Sequence, residues 1–271
     1  MDLATMTSRG LILLGCGKMG TAMLSRWLKY GLSPSSIWVY DPKPTEWLHD
    51  QDVHLNSVLP DNPAIVVIAV KPQTITVALQ SVNHFDNGTT LFISIAAGTS
   101  ITELESSLGA HTPIIRAMPN TPCSVGYGIT ALYGNTNITK SNAKQATKLF
   151  DTVGHTVWLN EESEMSAVTG VSGSGPAYVF LLIEALASAG ETQGLPSNLA
   201  MQLAKATVTG AGALVQQACE SPAELRINVT SPNGTTQAAL DILMDKNKGM
   251  FPLLNKAVEA ATDRSRELSN E

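Results

Sequence analysis

"GLILLGCGKMGTAMLSRWLKYG", residues 10–31, is the stretch on which the fold turns. An apolar run over 10–16 ends in glycine, and helical spacing follows at once. Met23, Leu24, Trp27 and Leu28 share one face, and Gly31 suits the cap that ends the helix. Between the two lies Gly15 to Gly20, with the spacing G-x-G-x-x-G. Gly15 permits a tight turn, Gly17 lets the backbone approach a pyrophosphate, and Gly20 lets the helix pack on the strand. The helix N-terminus then faces the anion. Gly15, Cys16, Gly17, Lys18, Met19 and Gly20 are therefore expected to form the phosphate loop of a dinucleotide site.

The chain downstream repeats the alternation. "SIWVYD" (36–41), "AIVVIAVKP" (64–72), "TTLFISIAAG" (89–98) and "TPIIRAMPNTP" (112–122) read as strands, followed by "GITALYG" and "HTVWLN". "QTITVALQSV", "SITELESSLG" and "TKSNAKQATKLFDTVG" read as helices, the second with a capping box of Ser100 and Glu103. Such alternation predicts a parallel sheet with helices on both faces, an α/β Rossmann-like doubly wound domain over residues 1–160, with 1–9 as a ragged extension. Beyond that the strands stop. Two long helical patterns follow, apolar nearly all round, with small residues at Ala187, Ala189, Ala204, Gly210 and Gly212. Helices of that kind must be buried, and residues 161–271 alone are too few to bury them. An all-α dimerisation domain and an intertwined homodimer are expected. "VSGSGPAY" (171–178) reads as a helix start, with Ser174 as cap and Pro176 in the first turn.

Bulk properties narrow the function. A net charge of −6 argues against a nucleic-acid face. Three scattered cysteines, Cys16, Cys123 and Cys219, give neither metal spacing nor a disulfide framework, so no metal and a cytoplasmic location are expected. The N-terminus does not read as a signal peptide. The longest apolar run, "GPAYVFLLIEALASAG", carries Glu184 and is too short to span a bilayer, so no membrane is expected.

Asp41 ends the second strand, where an acid bonds the adenosine ribose 2′-hydroxyl and favours NAD. Lys43 offers a charge for a 2′-phosphate instead, and Asp41 also suits the "DPKP" turn, so NADH and NADPH both stay open. Ligands of open α/β sheets bind outside the carboxyl ends of strands. The small residues Ala69, Ala96, Ala97 and Gly98 leave room there for a flat ring, while Lys71 reads equally well as a solvated strand end.

"GCGKMG", "AVKPQ", "SIAAG", "RAMPNTP", "VSGSGPAY" and "VTSPNGTT" occur in this order, and with them the chain closely resembles the pyrroline-5-carboxylate reductase family over residues 10–268. The resemblance implies reduction of 1-pyrroline-5-carboxylate to L-proline by NADPH or NADH, with the active site at a dimer interface and dimers that often build larger rings. It implies that Asn56, Ala69, Val70, Lys71 and Pro72 touch the cofactor, and that Ala97 and Gly98 sit beside the nicotinamide. It also implies that Asn228, Ser231, Gly234, Thr235 and Thr236 hold the substrate carboxylate, with Thr236 near the imine nitrogen. Two positions depart from the family pattern. Asn233 stands where a glycine is usual, and Ile227 where an aspartate is common. If position 233 needs a positive φ, asparagine is the best replacement. The five histidines lie outside these motifs and read as structural or surface residues. That suits a reaction whose cyclic imine is already an electrophile, so that positioning dominates. A β-hydroxyacid dehydrogenase relative is the competing enzyme reading, but the helix after "SGSGPAY" lacks a lysine on its first turns. A non-catalytic nicotinamide sensor is the reading from another class.

Overall fold

A computed structural model describes residues 8–86 and 88–270. Most of the expected N-terminal extension, residues 1–7, lies outside the described residues. Eight strands form one sheet: β1 (Leu11–Leu14), β2 (Ile37–Tyr40), β3 (His54–Leu55), β4 (Ile65–Ile68), β5 (Leu91–Ser94), β6 (Ile114–Met118), β7 (Gly128–Gly134) and β8 (Gly154–Trp158). Their order is β3-β2-β1-β4-β5-β6-β7-β8. The first six give 3-2-1-4-5-6, the doubly wound arrangement with its switch point between β1 and β4.

The sheet departs from the expected all-parallel form at one place. β7 runs antiparallel to β6, and β8 is parallel to β7. Residues 119–127 alone join β6 to β7, too few for the helical crossover that a parallel pair requires. The helix α5 (Lys140–Asp151) does supply such a crossover between β7 and β8.

Alternate strand residues explain the continuous apolar runs. Leu11, Leu13, Ile65, Val67, Leu91 and Ile93 face one core with Met23, Leu24 and Trp27 of α1 (Lys18–Lys29). Ile12, Leu14, Val66, Ile68 and Phe92 face the other with Ile101, Leu104 and Leu108 of α4 (Ile101–Leu108). A parallel strand buried on both faces favours apolar residues at successive positions. Gly31 ends α1 as expected. Its φ is +92°, its N–H bonds the Leu28 carbonyl, and Leu32 N–H bonds that of Trp27 at 3.0 Å, a Schellman ending. Ser100 and Glu103 form the expected capping box on α4.

The chain divides into two compact units, one running to Ser174 and resuming at Ala261, the other Gly175–Ala260. Strands stop at Trp158, yet the first unit continues through α6 (Glu164–Val168). Glu162 is tied back to Arg116, and the carbonyl of Ser172 to Asn120 Nδ2 at 3.1 Å. Ser174 does not cap a new helix, contrary to the sequence expectation. Its backbone is helical, and its N–H bonds the Thr169 carbonyl at 2.8 Å, closing a π-turn over Thr169–Gly173. Helical chain therefore runs from Glu164 through α7 (Gly175–Thr192). By length and composition this stretch is long and apolar enough to cross a bilayer, unlike the shorter run read from the sequence. The turn had looked like a helix boundary because glycine and serine cluster there.

In the second unit, α7 and α8 (Ser197–Gln217) pack through Ala187, Ala200 and Ala204. A Cβ on Gly190 would lie 3.2 Å from that of Ala200, so the small residue sets the approach. Most larger apolar side chains here, including Phe180, Leu181, Leu203, Leu214 and Phe251, are exposed within the single chain.

Candidate active site

The glycine loop is built as its spacing predicts. Gly15 has a φ of +83°, and a Cβ there would come within 2.8 Å of the Ala69 carbonyl oxygen. Gly20 lies as close to the Gly15 carbonyl, which lets α1 start directly against β1. A Cβ on Gly17 would meet no described atom within 4 Å. Gly17 is thus free of packing demands and lies beside helix-start N–H groups that have no internal partners. Among the described residues no side chain caps this end. That combination fits a pyrophosphate. Lys18 is exposed, whereas Cys16 is buried and Met19 Sδ lies 3.4 Å from Cys123 Sγ. Cys16 and Met19 therefore act through backbone and packing.

A polar network joins this loop to the end of β2. Asp41 Oδ2 accepts the Cys16 N–H at 2.6 Å, and Oδ1 accepts the Lys43 N–H at 2.8 Å. The Asn56 amide both donates to the Asp41 carbonyl (2.8 Å) and accepts from its N–H (3.0 Å). Asn56 has a φ of +47°, tolerated by asparagine. It therefore shapes the site through Asp41.

The ends of β4 and β5 complete the sheet side. Ala69 N–H bonds the Leu14 carbonyl, and Val70 packs against Gly15. Lys71 is exposed, and its carbonyl accepts two bonds from Thr74, as a solvated strand end would. Pro72 and Gly98 line one cleft of about 450 Å³ with Gln73, Thr76, Thr99 and Leu268. Gly98 has a φ of +82°, and a Cβ there would lie 2.8 Å from the Leu268 carbonyl oxygen. Close approach of the C-terminal helix α11 (Met250–Asn270) thus also demands glycine here, a requirement that nothing in "SIAAG" announces. Ala97 remains half-buried beside it.

Within the second unit, α9 (Pro222–Asn228) leads to the polar loop, capped by Ser221 and Glu224. That carboxylate is held below its usual range by the Ser221 hydroxyl and N–H. Ser231 to Gly234 form a type II turn. Pro232 sits at the second position, Asn233 at the third with a φ of +58°, and the Gly234 N–H bonds the Ser231 carbonyl at 3.0 Å. Asparagine thus occupies a positive-φ position, which it tolerates better than other residues with a Cβ. A Cβ on Gly234 would collide with the Ser231 hydroxyl. Helix α10 starts at Thr235 (Thr235–Leu243), and among the described residues no side chain caps it. Its opening N–H groups can donate to a carboxylate without a basic side chain. Asn228 and Ser231 are exposed beside this turn, and Thr236 is half-buried in the first turn of α10. Ile227 is exposed too. Its carbonyl accepts the Thr230 N–H, so the loop keeps its shape without an aspartate there.

Sequence reasoning missed three framework residues. Arg116 pairs with Glu162, and Glu162 also accepts the Ile101 N–H at 2.8 Å. Asn120 bonds the Ile129 N–H and the Ser172 carbonyl. Arg116 and Asn120 lie within a quoted motif, but their partners are distant in sequence and carry no local signal. Among the described residues no cluster of metal-ligating side chains occurs. A doubly wound sheet, a glycine loop open to a pyrophosphate and an acid at the end of β2 define a Rossmann-type nicotinamide-dependent oxidoreductase.

The pyrroline-5-carboxylate reductase of Pseudomonas aeruginosa is 35% identical over 272 residues, covering 98% of this chain and 99% of that one. The family model for pyrroline-5-carboxylate reductase dimerisation matches residues 162–268. The chain belongs to the pyrroline-5-carboxylate reductase family. Residues 10–98 match the family of coenzyme F420-dependent NADP oxidoreductases. The Synechocystis enzyme of the same name is 40% identical, over 94% of this chain and 97% of its own. Among solved structures, that from Coxiella burnetii superposes with a TM-score of 0.89 at 33% identity, covering 96% of this chain and 98% of its own. Plasmodium falciparum pyrroline carboxylate reductase with NADP bound gives 0.83 at 28% identity, over 97% and 99%.

Proposed function

We propose that this protein reduces 1-pyrroline-5-carboxylate to L-proline with NADH or NADPH, as a cytoplasmic homodimer. The observation that carries the reading is the Ser231–Gly234 turn, which presents the uncapped start of α10 as a carboxylate anchor. Residues 1–160 serve the dinucleotide, and 161–271 serve dimerisation and substrate. Gly15 to Gly20 hold the pyrophosphate. Asp41, Lys43 and Asn56 shape the ribose site, Ala69, Val70, Lys71 and Pro72 touch the cofactor, and Ala97 and Gly98 border the nicotinamide.

A reduced nicotinamide, when bound, would supply a hydride for the imine carbon. The protein's part is to bind and orient. Asn228, Ser231, Gly234 and Thr235 fix the substrate carboxylate, and Thr236 hydrogen-bonds the ring nitrogen. Little acid–base chemistry is required, because a protonated imine is electrophilic already. The histidines match that economy: His54 stacks on Trp38, with ring centroids 4.4 Å apart, and His49, His111 and His155 are exposed.

The dimer is supported by the exposed apolar faces of α7 and α8, and by Gly210 and Gly212, where an added Cβ would meet no described atom within 4 Å. Such faces are unstable in water and suit a second copy. Three free cysteines support a reducing compartment. The test is oxidation of reduced nicotinamide by the purified protein with pyrroline-5-carboxylate, supplied with NADH and with NADPH. Turnover is expected. A folded dimer that turns over with neither cofactor would refute the reading, and a screen of 3-hydroxy acids would then address the dehydrogenase alternative.

A further inference from the structure

We propose that Asp41 makes this protein select NADH over NADPH. The inference rests on the dinucleotide site described above and settles a choice that the sequence leaves open between Asp41 and Lys43.

Asp41 is held from every side. Its two carboxylate oxygens take the N–H groups of Cys16, inside the glycine loop, and of Lys43. Its own N–H and carbonyl are clamped by Asn56, whose N–H in turn bonds the Val39 carbonyl at 2.9 Å. The carboxylate therefore stays at the mouth of the first βα turn, one bond away from the loop that receives the pyrophosphate. An ionised carboxylate has about four acceptor sites, so two N–H bonds leave capacity for ribose hydroxyls. A 2′-hydroxyl can donate to it. A 2′-phosphate instead sets like charges together at short range, where repulsion is strong.

Lys43 and Lys18 do not cancel this. Both are exposed, while Asp41 is half-buried. A solvated ammonium on a flexible stem is well screened, whereas a fixed, partly buried carboxylate is screened much less.

The test is direct titration of the purified protein with NADH and NADPH, followed by the fluorescence of the bound nicotinamide, alongside turnover. NADH is expected to bind at least about tenfold more tightly. The ratio of the two dissociation constants should fall towards one as salt rises, because the repulsion is screened. Asp41→Asn, of equal size and uncharged, should bring the two constants within about threefold, chiefly by tightening NADPH. Lys43→Ala should leave their ratio in favour of NADH. Tighter NADPH binding by the unaltered protein, or a selective loss of NADPH affinity in Lys43→Ala, would overturn the proposal. Binding of neither dinucleotide would overturn the site itself and the selectivity with it. Should Asp41→Asn fail to fold, the unaltered protein's ratio and its salt dependence decide. Cofactor binding without turnover of pyrroline-5-carboxylate would count against the substrate assignment alone.

Discussion

The guanidinium of Arg116 meets the carboxylate of Glu162 at 2.5 Å, joining β6 to the chain just before α6. The same Glu162 oxygen accepts the N–H of Ile101, the first residue of α4. One carboxylate thus pins a strand, the start of the helix that follows Ala97 and Gly98, and the approach to the second unit in sequence. Glu162→Ala leaves a nearly buried guanidinium unpaired and should cost about 3 kcal/mol. Glu162→Gln keeps the acceptor and should cost less. Denaturant titration of both variants checks this; equal losses would show that the neutral acceptor contributes nothing once the charge is gone.

Gly15 and Gly17 should fail differently. Gly15→Ala forces a side chain into a φ of +83° and against the Ala69 carbonyl, so stability should drop by about 2 kcal/mol. Gly17→Ala meets no described atom. It should melt near the parent temperature yet bind dinucleotide about tenfold more weakly, because its Cβ stands where the pyrophosphate approaches. Thermal melts paired with cofactor titrations separate the two.

Asn233 occupies the positive-φ position of its turn. Asn233→Gly should keep kcat/KM for pyrroline-5-carboxylate within about twofold, since both residues accept that backbone. Asn233→Val must strain or abandon the turn, a cost of about 2 kcal/mol, and should raise KM about tenfold. A valine variant with parental kinetics would detach the turn from substrate binding.

Thr236→Ala removes a hydroxyl from the first turn of α10 without disturbing its backbone amides. Losing one hydrogen bond to the reacting ring should lower kcat/KM about tenfold, with the melting temperature unchanged. An unaltered kcat/KM would remove Thr236 from the mechanism.

The thiols should divide. Burial pushes the Cys123 thiol up to about 11, against a smaller opposing pull from Arg26. Burial also raises Cys16, with the Thr21 hydrogen bond opposing and the Asp41 carboxylate adding to it. Cys219 is exposed. A thiol reagent at mildly alkaline pH should label Cys219 quickly, and Cys16 and Cys123 only on unfolding. Because thiolate is the reactive form, a buried thiol raised to about 11 stays protonated and unreactive at that pH while the chain is folded. Mass mapping of the labelled sites gives the answer.

Local chemistry made much of this protein legible. Glycine spacing over Gly15–Gly20, two-faced apolar runs, the Ser100 box and the Gly31 ending each act within a few residues, so the sequence determined them without help from distant chain. The Ser-Pro-Asn-Gly turn belongs with them, because proline and a residue tolerant of positive φ specify it together. Tertiary structure decided what depends on partners far apart in sequence. The reversal at β7 follows from how little chain links it to β6. Gly98 is constrained by Leu268, and Glu162 finds Arg116. Ser174 lies within continuing helix through its own bond to the Thr169 carbonyl, and Asn120, distant in sequence, bonds the Ser172 carbonyl beside it. Asp41 shows the division most clearly. Its presence at the end of β2 was plain in the sequence, but the clamp from Cys16, Lys43 and Asn56 exists only once three chain segments meet, and that clamp gives its charge a fixed position from which to select a cofactor.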